Sequence, residues 1–126
     1  MSLDAIGIVA ENPAKSVEFY ALLGVVFTKM GNHDHYDAKT ASGMRILLDS
    51  AELIRSFDPT WQKPTGSGVV MCFKQASAAA VDALYARITG AGFGSKHVPW
   101  DAFWGQRYAI VLDPDGNHIE LFAPLT

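Results

Sequence analysis

The sequence predicts an α+β domain built from two βαβββ units in tandem. Two observations carry that expectation. Short apolar runs alternate with helical spacings in the same order in both halves of the chain. The halves also match residue by residue: Val17-Glu18 answers Val81-Asp82, Phe19-Tyr20 answers Leu84-Tyr85, and Phe27 answers Phe93, at an offset of about 65 residues, as a tandem duplication would leave. One such unit could hardly bury its sheet face alone, so the halves are expected to pack together, in cis or across a dimer.

Ala5 to Ala10 is a short apolar run and reads as the first strand. Asn12 is a good N-cap and Pro13 suits the first helical position. Val17, Phe19, Tyr20, Leu22 and Leu23 form the helix's apolar stripe, and Gly24 stops it. Val25 to Met30 is then expected as a strand, Gly31 to Asp34 as a turn, Tyr36 to Thr40 as the returning strand. Ser42-Gly43 turns the chain again into a fourth strand, Met44 to Asp49.

The second half repeats this order. Val69 to Phe73 reads as a strand, and Ser77 caps a helix whose Val81, Leu84, Tyr85 and Ile88 fall at helical spacing. Gly90 to Gly92 ends it, and Phe93 to His97 starts the next strand. Gln106 to Leu112 and His118 to Ala123 form a hairpin around Asp113-Pro114-Asp115-Gly116-Asn117, where Pro presets a type I turn and Gly takes the left-handed position. The expected boundaries are one domain over 1–126, with module one at 4–49, a linker at 50–66 and module two at 67–124. Within the linker, Ala51 to Phe57 reads as a short helix.

Composition excludes several classes. With 49% hydrophobic and 18% charged residues among 126, the chain has ordinary globular usage. The 10 Lys and Arg against 13 Asp and Glu give a net charge of −3, and the basic residues are scattered, which argues against a nucleic-acid partner. No apolar stretch approaches a membrane span, and no secretory leader is read at the N-terminus. The single cysteine, Cys72, cannot close an internal disulfide, which suits the cytoplasm.

With Ile6-Gly7-Ile8-Val9, Ser16-Val17-Glu18-Phe19-Tyr20 and Leu23-Gly24, and more sharply with Trp104-Gly105-Gln106-Arg107 and Asp113 to Leu121, the sequence resembles the vicinal oxygen chelate superfamily along nearly its whole length. That superfamily includes glyoxalase I, bleomycin resistance proteins and extradiol dioxygenases. The resemblance implies that the two modules form a curved, cup-shaped mixed sheet with helices on its convex side. It also implies a homodimer, because members commonly complete their cups across a two-fold axis.

Metal-dependent members place ligands on the first and last strands of each module. Glu120 stands at the last-strand position of module two and is acidic as the pattern requires. Its repeat partner is Leu47, and the first-strand positions fall on Ala5 and on Val69 or Val70. Three of the four positions therefore offer no donor, and a divalent cation needs several converging N or O ligands. No metal ligand set and no cofactor is expected.

Strand alternation sets His118, Glu120 and Phe122 on one face, with Ile119 and Leu121 on the other. The resemblance implies that the Glu120 face lines the cup. Glu120 then either meets a ligand or is a structural acid paired with Arg107 or Arg45. His33-Asp34-His35 reads as a solvated turn, and Cys72 as an inert packed thiol. Val98 to Gly105 concentrates Trp100, Phe103 and Trp104 in what reads as a loop between strands, either rimming a ligand or closing over the sheet end.

The expected function is metal-independent binding of a small, partly aromatic molecule, of the glyoxalase/bleomycin-resistance type. The candidate ligand-binding residues are Trp100, Phe103, Trp104, Arg107, His118 and Glu120; no catalytic residue is named. The alternatives are a divalent-metal-dependent lyase, isomerase or dioxygenase with Glu120 as one ligand, and an accessory subunit whose aromatic surface meets another protein.

Overall fold

The computed structural model describes residues 1–125, and the chain divides between Lys63 and Pro64 into two compact units. In the first unit, β1 (Ala5–Ala10) leads into α1 (Pro13–Leu22), followed by β2 (Thr28–Lys29), β3 (His35–Lys39), β4 (Arg45–Ser50) and α2 (Ala51–Phe57). The strands lie in the order β1-β4-β3-β2, with β1 parallel to β4 and the other pairs antiparallel. In the second unit, β5 (Met71–Lys74), α3 (Ala78–Gly90), β6 (Gly94–Ala102), β7 (Gln106–Leu112) and β8 (His118–Pro124) repeat the arrangement in the order β5-β8-β7-β6, with β5 parallel to β8. Each unit is a βαβββ module with an open mixed sheet, so the α+β class holds. Among the described residues, no helix is long and apolar enough to cross a membrane.

Capping chemistry fixes the helix starts. The Asn12 side chain accepts from the Lys15 N–H at 3.3 Å, with Pro13 at the first helical position, and Ser77 accepts from the Ala80 N–H at 3.1 Å. Ser50, the last residue of β4, caps α2 by accepting from the Leu53 N–H at 3.0 Å. That helix therefore begins without any intervening loop, and it packs on β1 and β4 of its own module.

Three expected strands are redrawn. Val25 to Phe27 do not join β2. The Val25 N–H donates to the Tyr20 carbonyl at 3.0 Å, and Val25 and Phe27 are 2% and 9% exposed. Phe27 meets the edge of the Tyr20 ring at 5.8 Å, so these apolar residues close the end of α1 instead of forming a ladder. Val69 and Val70 lie outside β5 and are exposed; pairing starts at Met71, whose partner is Ile119. The third change is the largest. The segment expected as a loop from Val98 is strand β6 as far as Ala102. The register shifts between Ser95 and His97 and again between His97 and Trp100, and these irregularities accommodate Pro99 on an edge strand.

The core of module two follows from period-two alternation. Ile119, Leu121 and Ala123 on β8 and Ala109 and Val111 on β7 are fully buried, as are Val81 and Ile88 of α3, which packs on β6, β7 and β8. Fully burying a Val, Leu or Ile side chain contributes roughly 1.5–3 kcal/mol, so this helix-covered face fixes the register of β7 against β8.

Candidate functional site

With one face of the module-two sheet committed to α3, the alternate residues of each strand lie on the opposite, open face. On β8 these are His118, Glu120 and Phe122, all half-buried. The ladders then set Tyr108 opposite Phe122, Ile110 opposite Glu120, Trp100 opposite Tyr108 and Cys72 opposite Glu120. Side chains from four strands meet on this surface: the two-residue period is kept in β5, β7 and β8, and the irregular register of β6 brings His97 and Trp100 together beside Tyr108.

Most of that surface is aromatic. The Trp100 and Tyr108 rings lie 5.4 Å apart, and Trp104 meets Trp100 at 6.1 Å and Tyr108 at 5.2 Å, all edge to face. Tyr108 stacks on Phe122 at 6.0 Å with 26° between the planes. His97 lies 3.9 Å from Trp100, and the Trp104 indole N–H donates to Gln106 Oε1 at 2.8 Å. Phe103, at the tip of the β6–β7 hairpin, is 97% exposed and touches Trp104.

Beside Tyr108 stands a three-group polar cluster. The Cys72 thiol donates to Glu120 Oε2 at 3.2 Å, and the Tyr108 hydroxyl donates to the same oxygen at 3.3 Å. Burial pushes the Cys72 thiol above its ordinary pKa, and the hydrogen bond and charge of Glu120 push it further. Tyr108 is raised strongly, first by burial and then by the neighbouring Cys72 and Glu120. Both groups therefore stay protonated at neutral pH and act as donors toward the carboxylate.

Of the residues expected at a site, Trp100, Phe103, Trp104, His118 and Glu120 belong to this side of the sheet or its rim. Arg107 does not lie with them. It alternates with Tyr108 and reaches α3, where Nε and Nη2 donate to the two oxygens of Asp82 at 2.9 and 3.2 Å, while Nη1 donates to Asp101 at 3.0 Å. Arg107 thus ties α3 to β7 and β6. Arg45 pairs with Asp37 and Asp4 of module one, so the partners of Glu120 are Cys72 and Tyr108 instead of either arginine. Tyr108 could have been found from the alternation of β7 against β8. Cys72 could not, because its place beside Glu120 depends on the parallel register of β5.

Module one carries different chemistry at the corresponding places. His35 is the first residue of β3 and not part of the turn, and its Nδ1–H donates to Asp49 Oδ1 at 2.5 Å. His33 instead lines an open pocket of about 350 Å³ between the β2–β3 turn and the start of α2, together with Lys29, Asp34 and Glu52. The first-strand partner of Leu47 is Gly7, as Cys72 is that of Glu120.

A divalent metal, which parts of the resembled superfamily use, finds no matching donor set. Among the described residues, no three His, Cys, Asp or Glu side chains come together as a metal-binding group. The positions expected to ligate carry Ala5, Leu47 and Val69 or Val70, whose side chains have no donor atoms.

A search of curated proteins finds no match. Among solved structures, a glyoxalase/bleomycin resistance protein/dioxygenase from Nocardioides is 26% identical, with 99% of this chain and 84% of that chain covered and a TM-score of 0.77. A family enzyme of the same description from Burkholderia phytofirmans PsJN is 18% identical over 99% of this chain and 100% of its own, with a TM-score of 0.85. A lactoylglutathione lyase from Agrobacterium tumefaciens is 18% identical, covering 97% and 92%, with a TM-score of 0.71. The family model for the Glyoxalase/Bleomycin resistance protein/Dioxygenase superfamily matches residues 2–121, and to that superfamily this chain belongs.

Proposed function

We propose that the open face of module two binds a small, planar, partly aromatic molecule without the help of a metal, in the manner of a binding protein of the glyoxalase/bleomycin-resistance type. One observation carries the reading: a continuous run of rings, Trp104, Trp100, Tyr108 and Phe122, is joined to a carboxylate by the Tyr108 hydroxyl. Ring faces offer area and stacking to a flat ligand, and a single polar end fixes its orientation. Trp100, Trp104, Phe103, His118 and Glu120 act as ligand-side residues, with Tyr108 and Cys72 added. Arg107 acts through β6, holding Asp101 next to Trp100. A reducing cytoplasm suits a protein whose one cysteine serves as a thiol donor.

The test joins a thermal-shift screen of planar compounds to tryptophan fluorescence. A ligand should raise the melting temperature by mass action and quench the indoles. Trp100→Ala should then weaken binding about thirtyfold, as the loss of an aromatic anchor does. A variant of lowered melting temperature and unchanged affinity would assign Trp100 to scaffold. About one equivalent of Zn, Ni, Fe or Mn in protein purified without added metal would overturn the metal-independent reading.

A further inference from the structure

The face described above has a charge character that its aromatic content alone does not set. Its two protic groups beside Glu120 are both committed: the Cys72 S–H and the Tyr108 O–H point at one carboxylate oxygen, Oε2. No donor among the described residues reaches Oε1, so the lone pairs of that oxygen stay available. Around it, each ring presents an electron-rich face, and the indoles of Trp100 and Trp104 are the strongest of the aromatic cation acceptors. The one guanidinium of this hairpin, Arg107, lies on the α3 side and is neutralised by Asp82 and Asp101. Lys74, opposite Phe122 on the edge strand β5, is exposed, where water and salt screen it. What remains around the carboxylate on the Phe122 side is a surface of acceptors; the other polar side chain of the β8 face, His118, lies on the far side of Glu120.

We propose that this face selects organic cations: a flat ring lies against Tyr108, Phe122 and Trp100, and its ammonium or protonated ring nitrogen donates to Oε1 of Glu120. The inference rests on the binding reading above and adds the charge of the ligand to it. An aromatic carboxylate of the same size is disfavoured, because with its ring against Tyr108, Phe122 and Trp100 its oxygens would face Glu120 and the ring quadrupoles, with His118 lying beyond Glu120. The thiol and the phenol have a defined part. By occupying Oε2 they hold the carboxylate plane, and burial and the neighbouring Glu120 charge keep both of them protonated as donors.

The experiment uses the full chain and three probes sharing one ring system: 1-naphthylmethylammonium, 1-naphthylmethanol and 1-naphthoate, titrated by calorimetry at low salt. The ammonium should bind about tenfold tighter than the alcohol, and the naphthoate weakest, the size expected of one charge-assisted hydrogen bond at a half-exposed site. Glu120→Gln keeps the side chain's shape and should bring the ammonium to the alcohol's affinity while moving the alcohol less than twofold. Tyr108→Phe frees one position on Oε2 and should keep the ammonium preference, which tests the idea even if Glu120→Gln folds poorly.

Equal binding of ammonium and alcohol to the wild-type protein overturns the charge selection and leaves the aromatic reading standing. Preference for naphthoate overturns it in favour of Lys74 or His118 as the recognising donor. If Glu120→Gln weakens all three probes alike and lowers the melting temperature, Glu120 is scaffold and the inference fails. Binding of none of the three fails the binding-face reading itself.

Discussion

Replacing Asp113 by alanine should cost module two more than any other single change in a turn, and the structure allows the cost to be worked out. Asp113 is 4% exposed at the mouth of the β7–β8 hairpin. Its Oδ1 accepts from the main-chain N–H groups of Asp115 and Asn117 at 2.9 and 2.8 Å, and Oδ2 accepts from the Asn117 amide at 2.8 Å. Hydrogen bonds to a charged group contribute about 1.5–3 kcal/mol each, but water replaces part of each lost bond in a part-buried turn. A net loss of roughly 2–3 kcal/mol follows, which for a chain of this size lowers the melting temperature by about 10 °C. Asp113→Asn keeps an acceptor oxygen and should lose about half as much. Gly116, at φ +85° with open space where a Cβ would stand, separates strain from hydrogen bonding: Gly116→Ala should cost only about 1–2 kcal/mol from backbone conformation. Urea denaturation at constant m-value measures all three. An Asp113→Ala variant within about 0.5 kcal/mol of wild type would refute the reasoning, as would an Asn variant as damaged as the Ala one. The functional stake is register, since a one-residue slip of β8 would carry Glu120 to the helix side.

Two further outcomes are expected. Because burial and Glu120 raise the Cys72 pKa, its thiolate fraction at a given pH is smaller than that of an ordinary thiol. Iodoacetamide alkylation, followed by mass spectrometry against pH, should therefore rise later than for a free cysteine. Glu120→Gln should shift that profile part of the way down, since burial, the larger cause, remains; a wild-type profile in the ordinary thiol range would contradict the cluster. On assembly, β6 is an edge strand with Val98 59% exposed, surface that a second copy would cover. Light scattering is expected to give a homodimer, and a monomer over a wide concentration range would count against it.

The parts of the fold that are local in sequence were legible in it. Asn12-Pro13 and Ser77 mark helix starts because capping involves residues three apart. The Asp113 to Asn117 turn and the alternation of His118 to Ala123 are visible for the same reason. The elements misplaced are those that tertiary context decides. Val25 and Phe27 look like strand residues but cover the end of α1, and Val69-Val70 have strand composition without a ladder partner. The irregularities in β6 break its two-residue period, so Val98 to Ala102 reads as loop. Of the candidate site, Glu120, His118, Trp100, Phe103 and Trp104 could be named from the sequence, and Tyr108 was missed. The meeting of Cys72, Tyr108 and Glu120 was not legible, because it needs the register of β5, β7 and β8 at once.

The ladders also explain why the open face of one module is a candidate site while the equivalent face of the other is not. Taking Leu47 as the repeat partner of Glu120, the registers match Gly7 with Cys72, Asp37 with Ile110, Asp49 with Phe122 and His35 with Tyr108. At nearly every pair the chemistry is exchanged. Module one has an apolar residue where module two has its carboxylate, the His35–Asp49 hydrogen bond where module two has Tyr108 and Phe122, and the Asp37–Arg45 ion pair where it has Ile110 and His118. Those ionic groups satisfy one another: the Arg45 guanidinium, by its hydrogen bond and charge, holds the Asp37 carboxyl below the usual range. A face whose charges are already paired has little left to offer a ligand. A face of rings with one carboxylate oxygen still open does, so on the proposed reading the repeated frame keeps its ladder pairing in both copies and its recognition chemistry in one.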